Sequence, residues 1–99
     1  MGTYVMFLGF TQQGIANIKD TPERIAEAKK TCESFGAKVK EFYAVMGMDN
    51  YDTMFIIDAP DHHVIAKAAL TLGKQGNVHT NSYPAFTEDE FKNLIADIS

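Results

Sequence analysis

The chain has little cysteine, no excess of positive charge and no long apolar run. A single cysteine, Cys32, in 99 residues excludes an internal disulfide and fits a reducing, cytoplasmic setting. Thirteen Asp and Glu against nine Lys and Arg leave a net charge of −4 and a pI near 5.2. Nucleic acid and anionic membranes both select a basic face, so neither is an expected partner. No apolar stretch approaches the ~20 residues that span a bilayer. Met1-Gly2-Thr3-Tyr4 leads straight into apolar residues without a basic segment, so no secretory leader is expected, and no N-myristoylation signal follows Gly2. No Cys/His spacing suits zinc. His62-His63 opens a helix, where neighbouring side chains diverge by about a hundred degrees, so a shared metal is not expected. Gly73-Lys74-Gln75-Gly76-Asn77 follows a helix, whereas a phosphate cradle needs to open one. No cofactor is therefore expected.

What remains is an ordinary globular composition, 45% hydrophobic, sufficient for one domain over residues 1–99. A domain of this size buries only roughly 60–70% of its unfolded surface. Self-association is thus a natural way to cover the rest.

The organising stretch is a turn, Met46 to Asn50, leading into Tyr51-Asp52-Thr53-Met54-Phe55-Ile56-Ile57. Ala37–Val45 before it reads as a strand, so the two form a central hairpin. Ahead of them Tyr4–Phe10 is a run of β-formers without polar alternation, which demands cover on both faces. Ile15–Ile18 suggests a helical turn. Thr21-Pro22-Glu23 opens a helix, with Thr21 as cap and Pro22 in the first position. Ile25, Ala28, Cys32 and Phe35 line its apolar face, and Gly36 stops it. Cys32 on that stripe reads as a small buried hydrophobe. A second helix runs from about Asp61 to Gly73, with Ile65, Ala68, Ala69 and Leu72 inward. Val78–Tyr83 is a polar strand whose following Pro84 suits a sheet edge, as Lys38 and Lys40 suit the edge of strand two. Thr87-Glu88-Asp89-Glu90 is a capping box, opening a helix with Phe91, Leu94, Ile95 and Ile98 on one face.

The order is β-α-β-β-α-β with an added C-terminal helix, the ferredoxin-like split βαβ pattern of an α+β sandwich. Strands one and three become central. Helices cover one face of the sheet, and a second subunit laid on the other would make a homodimer or higher homo-oligomer.

Strand directions in this topology bring distant polar residues to one end. Thr11 and Gln13 leave strand one there, Tyr51 and Asp52 enter strand three, and His79 enters strand four. His79 and Asp52 are the acid/base candidates, because proton transfer needs titratable groups within hydrogen-bond reach of a substrate. Thr11, Gln13, Tyr43 and Tyr51 are candidate ligand-binding residues. The same residues also suit plain turns and strand ends, and alternation sends Tyr51 and Asp52 to opposite faces.

Thr11-Gln12-Gln13-Gly14-Ile15-Ala16-Asn17-Ile18-Lys19-Asp20-Thr21-Pro22-Glu23-Arg24, with Phe42-Tyr43, Tyr51-Asp52, Gly76-Asn77-Val78-His79-Thr80 and Phe86–Phe91, resembles the GYD-domain family over nearly the whole chain. The resemblance implies a ferredoxin-like, dimeric α+β barrel fold and oligomeric assembly, with no settled activity. The family's pattern closes as Gly, one residue, Tyr, Asp; here Met48-Asp49-Asn50 separates Gly47 from Tyr51, a longer hairpin. Three functions follow as expectations. The first is binding of a small organic molecule between sheet and helices. The alternatives are a non-catalytic assembly module and a cofactor-independent enzyme using His79 and Asp52.

Overall fold

The computed structural model describes residues 1–99. Strand β1 spans Gly2–Phe10 and is followed by a short helix α1, Gln12–Ala16, and a 3-10 turn, Ile18–Asp20. Helix α2 is Thr21–Ser34, β2 is Lys38–Ala44 and β3 is Thr53–Ala59. Helix α3 (His62–Lys74), β4 (Val78–Ala85) and α4 (Glu88–Ala96) complete the chain. The sheet order is β2-β3-β1-β4, antiparallel throughout. This is the ferredoxin-like α+β arrangement, with the two most apolar strands central as their composition requires.

Local chemistry explains most boundaries. Asp61 caps α3, its carboxylate accepting from the Val64 N–H at 3.2 Å. The capping box of α4 is complete: Thr87 Oγ1 accepts from Glu90 N–H at 3.1 Å, and the Glu90 carboxylate accepts from Thr87 N–H at 2.8 Å. Thr21 is not the cap of α2. The 3-10 turn feeds directly into the helix, so Thr21 is already helical and its hydroxyl bonds back to the Ile18 carbonyl. The turn expected at Ile15–Ile18 starts earlier, at Gln12, because Thr11 caps it by accepting from Gly14 N–H at 3.1 Å.

Register sorts the strands into two faces. Met6 and Leu8 of β1 face α2 and α3 and are buried beside Phe55 and Ile57 of β3. With Ala28 and Cys32 of α2 and Val64, Ile65, Ala68 and Leu72 of α3 they belong to one apolar cluster of twelve residues. Only 14 of 99 residues are buried, so the core is a single layer and cannot cover both sides of the sheet. Cys32 sits fully inside it, and burial, with a lesser push from Glu33, raises its thiol to about 11.

Val5, Phe7, Met54 and Ile56 take the opposite face, where they stay half-exposed. Phe7 packs at a tilt on Tyr51 (5.9 Å between centroids) and edge-on to Tyr83 (6.1 Å). Both edges carry disruptors of further pairing: Pro84 in β4, and in β2 a register shift around Lys40, which pairs with Asp58 at 3.6 Å. Helix α4 has no buried residue at all. Its start is fixed by the capping box, and Phe91, Leu94, Ile95 and, just past its end, Ile98 remain exposed.

Candidate functional site

The ends of β1 and β2 and the starts of β3 and β4 do meet at one end of the sheet. Two layers of side chains form there, separated by the sheet. They do different things.

Below the sheet, Thr11 and Gln13 stitch α1 to the entry of β4. Thr11 N–H donates to the Asn77 carbonyl at 3.1 Å, and its hydroxyl to the Gly76 carbonyl at 2.5 Å. Gln13 Nε2 donates to Asn77 Oδ1 at 3.0 Å and to the Gln75 carbonyl at 3.3 Å. The approach is so close that a Cβ on Gly14 would clash with the Asn77 carbonyl oxygen. These contacts span more than sixty residues of sequence. Two of the partners, Gln75 and Asn77, also line a small cavity.

The cavity, about 50 Å³, lies between the underside of the sheet and helices α2 and α3. Leu8, Phe55, Ile25, Leu72 and Val78 supply apolar wall, and Thr21, Arg24, Thr53, Gln75 and Asn77 supply polar groups. Thr11, Gln13, Tyr43, Tyr51, Asp52 and His79 are not among its lining residues. Register is the reason for Tyr43 and His79: they pair with Met54 and Gly9, both on the outer face. Arg24, by contrast, escapes the sequence reading. The available signal is its position as the chain's single arginine, directly beside Ile25 on the inward stripe of α2.

Above the sheet, Tyr51 and His79 come together, with ring centroids 5.3 Å apart. Tyr51 precedes the first residue of β3, so strand alternation does not fix its direction. Gly9 lies beneath them: a Cβ there would fall 2.5 Å from His79 Nε2 and collide with the Asn50 carbonyl oxygen. Asn50 itself adopts a left-handed conformation, φ 67°, which Asn tolerates, and so carries the longer hairpin back toward β1. Asp52 is tied into the backbone. Its Oδ2 accepts from Phe10 N–H at 2.9 Å, its N–H donates to the Leu8 carbonyl at 3.0 Å, and its carbonyl accepts from Val45 N–H at 2.8 Å. The His62 and His63 rings stack at 4.5 Å at the start of α3, away from this end.

The outer layer is thus a band of rings, Tyr83, Phe7, Tyr51 and His79, each against the next. Such a band offers stacking area and a few polar tips. The inner layer offers a cavity with an apolar wall, several polar groups and one cation.

The GYD domain profile matches residues 4–95. A Thermus thermophilus protein named "Glutamine synthetase and cystathionine beta-lyase binding protein" is 34% identical over 86 residues, covering 86% of this chain and 88% of that protein. The crystal structure of TTHA0845, also from Thermus thermophilus, superposes with a TM-score of 0.55 at 17% identity, over 88% of this chain and 95% of that one. No helix here is long and apolar enough to cross a membrane. With 92 of its 99 residues inside the matched span, the chain belongs to the GYD domain family.

Proposed function

We propose that this domain is a non-catalytic, homo-oligomeric module that binds partner proteins. The observation that carries the reading is α4, an amphipathic helix with no buried residue. Phe91, Leu94, Ile95 and Ile98 fall at i, i+3, i+4 and i+7 and remain 43–70% exposed. Together they present on the order of 400 Å² of apolar surface, the size of the largest patch on a typical monomer, which is often functional. Apolar atoms supply only a little over half of a typical interface. The patch therefore suits about 800 Å² on each copy, a standard stable interface. The ring band on the outer sheet face adds aromatic stacking surface with a few polar tips. A second copy covering both features gives the homodimer through the open sheet face. The name of the Thermus relative supports protein partners beyond the second copy.

Sedimentation velocity on the wild type and on Phe7→Glu and Ile95→Glu variants tests the assembly. The wild type sediments as a dimer or larger species at micromolar concentration, and either charge shifts it to folded monomer. A wild type that stays monomeric at about 100 μM removes the reading, since a micromolar dimer corresponds to about 8 kcal/mol of association. Titration of the same organism's glutamine synthetase and cystathionine β-lyase onto the immobilised domain tests the partner class directly.

A second reading is binding of a small organic molecule between sheet and helices, and the cavity at the shared end favours it. An acid/base enzyme built on His79 and Asp52 has weaker support: the Asp52 carboxylate accepts a backbone N–H, and no hydrogen bond joins it to His79.

A further inference from the structure

Arg24 is the only charged residue lining the cavity beneath the sheet. Its half-buried guanidinium has no carboxylate partner; the carboxylates Asp58 and Glu88 pair with Lys40 and Lys92. One nitrogen does all its bonding. Nη2 donates to the carbonyls of Gly14 (3.2 Å) and Asn17 (2.9 Å) and to Thr21 Oγ1 (3.3 Å). These bonds hold the group against α1 and the 3-10 turn and leave Nε–H and the Nη1 hydrogens without a partner.

Two physical facts then select a ligand. A guanidinium offers N–H groups in a planar fork that matches the two oxygens of a carboxylate, and a positioned fork loses little entropy on binding. A partly desolvated charge without a counter-ion is unfavourable, so an anion arriving there gains more than it would at the surface. Beside the uncharged polar groups of Thr21, Thr53, Gln75 and Asn77, the wall is apolar, with Leu8, Ile25, Phe55, Leu72 and Val78. It offers no second cation for a phosphate's further oxygens, and it favours a hydrocarbon tail. The volume of about 50 Å³ is a third of the roughly 150 Å³ that holds benzene, so the tail is about two or three carbons long.

We propose that the cavity binds a short-chain monocarboxylate, its alkyl end against Leu8, Ile25, Leu72 and Val78 and its carboxylate on the free edge of Arg24. The proposal rests on the small-molecule reading above and names the ligand class for it. Arg24 then has two roles from two edges of one group: Nη2 staples α1 to α2, and the remaining donors recognise the acid.

Methyl NMR of the full chain, titrated with sodium propionate and separately with 1-propanol, tests it. Propionate moves the methyl signals of Leu8, Ile25, Leu72 and Val78 saturably, and 1-propanol binds at least tenfold more weakly. Arg24→Gln, shown folded by its amide spectrum, loses the preference for the acid. Ala28→Val, which narrows the cavity and leaves Arg24 in place, weakens both ligands. Equal binding of acid and alcohol would overturn the carboxylate assignment and leave the cavity reading standing. Methyl signals unmoved by either compound would overturn both. If Arg24→Gln does not fold, the acid–alcohol comparison on the wild type decides.

Discussion

The imidazole of His79 lies at a tilt against the ring of Tyr51, 5.3 Å between centroids, above a backbone position with no room for a side chain. That position is Gly9, squeezed between the His79 ring and the Asn50 carbonyl. A strand, a hairpin turn and an edge residue from three parts of the chain converge there.

Gly9→Ala therefore forces backbone to move, since one of the obstructing atoms is the Asn50 carbonyl oxygen. The expected cost is about 2–3 kcal/mol in urea unfolding. Gly73→Ala is the control. It lies within α3 with nothing near its missing Cβ, and replacing a helical glycine gains about 0.5–1 kcal/mol. Equal effects from the two substitutions would contradict the crowding at Gly9.

Asp52 ties the end of β1 to the hairpin through Phe10 N–H. Asp52→Ala leaves that donor unpaired and costs about 1–3 kcal/mol. Asp52→Asn keeps an acceptor oxygen and loses less than half as much. Chemical denaturation separates the two, and an alanine variant as stable as wild type would show that the bond contributes nothing.

Cys32 gives stability a signature at high pH. Its folded thiol keeps the proton to about pH 11 against an ordinary 9.0. Between those values the unfolded chain binds fewer protons than the folded one, so stability is full below the lower value and falls as pH rises through the window. The loss is about 2–3 kcal/mol, read as the difference between wild type and Cys32→Ala across that range. The same burial makes the thiol slow toward disulfide reagents until the chain unfolds. Rapid labelling of native protein at about pH 8, below the ordinary thiol value, would be inconsistent with this placement.

Helix α4 starts at a complete capping box and buries no residue in the domain's core, so Thr87→Ala acts on assembly before it acts on the core. Loss of the cap costs about 1 kcal/mol of helix stability. In the proposed dimer both copies lose the cap, about 2 kcal/mol in all, and this appears as a roughly thirtyfold weaker association constant by sedimentation, with the monomer's unfolding midpoint unchanged. A lowered core midpoint at unchanged association would place α4 on its own domain instead.

Much of the architecture is legible in the sequence because it depends on signals a few residues long. The apolar runs of Tyr4–Phe10 and Phe55–Ile57 mark the central strands, Pro84 and the β2 lysines mark the edges, and Thr87-Glu90 and Asp61 mark helix starts. Thr21 reads as a cap and is not one, because a 3-10 turn, which has no strong sequence signature, feeds the helix from behind. Directions of strands also tell which chain ends share one end of the sheet.

By itself, then, the sequence determined the element types, their order, the central pair of strands and the amphipathic stripe of α4. Tertiary structure alone decided which side chains meet. Thr11 reaches Gly76 and Gln13 reaches Asn77 across more than sixty residues; Tyr51 turns to His79 while Asp52 turns to Phe10 N–H; Arg24 comes to the cavity. Spacing along one element encodes a face. Contact between elements depends on register and on a few degrees of turn geometry, and a one-residue change in either sends a side chain to the other side of the sheet.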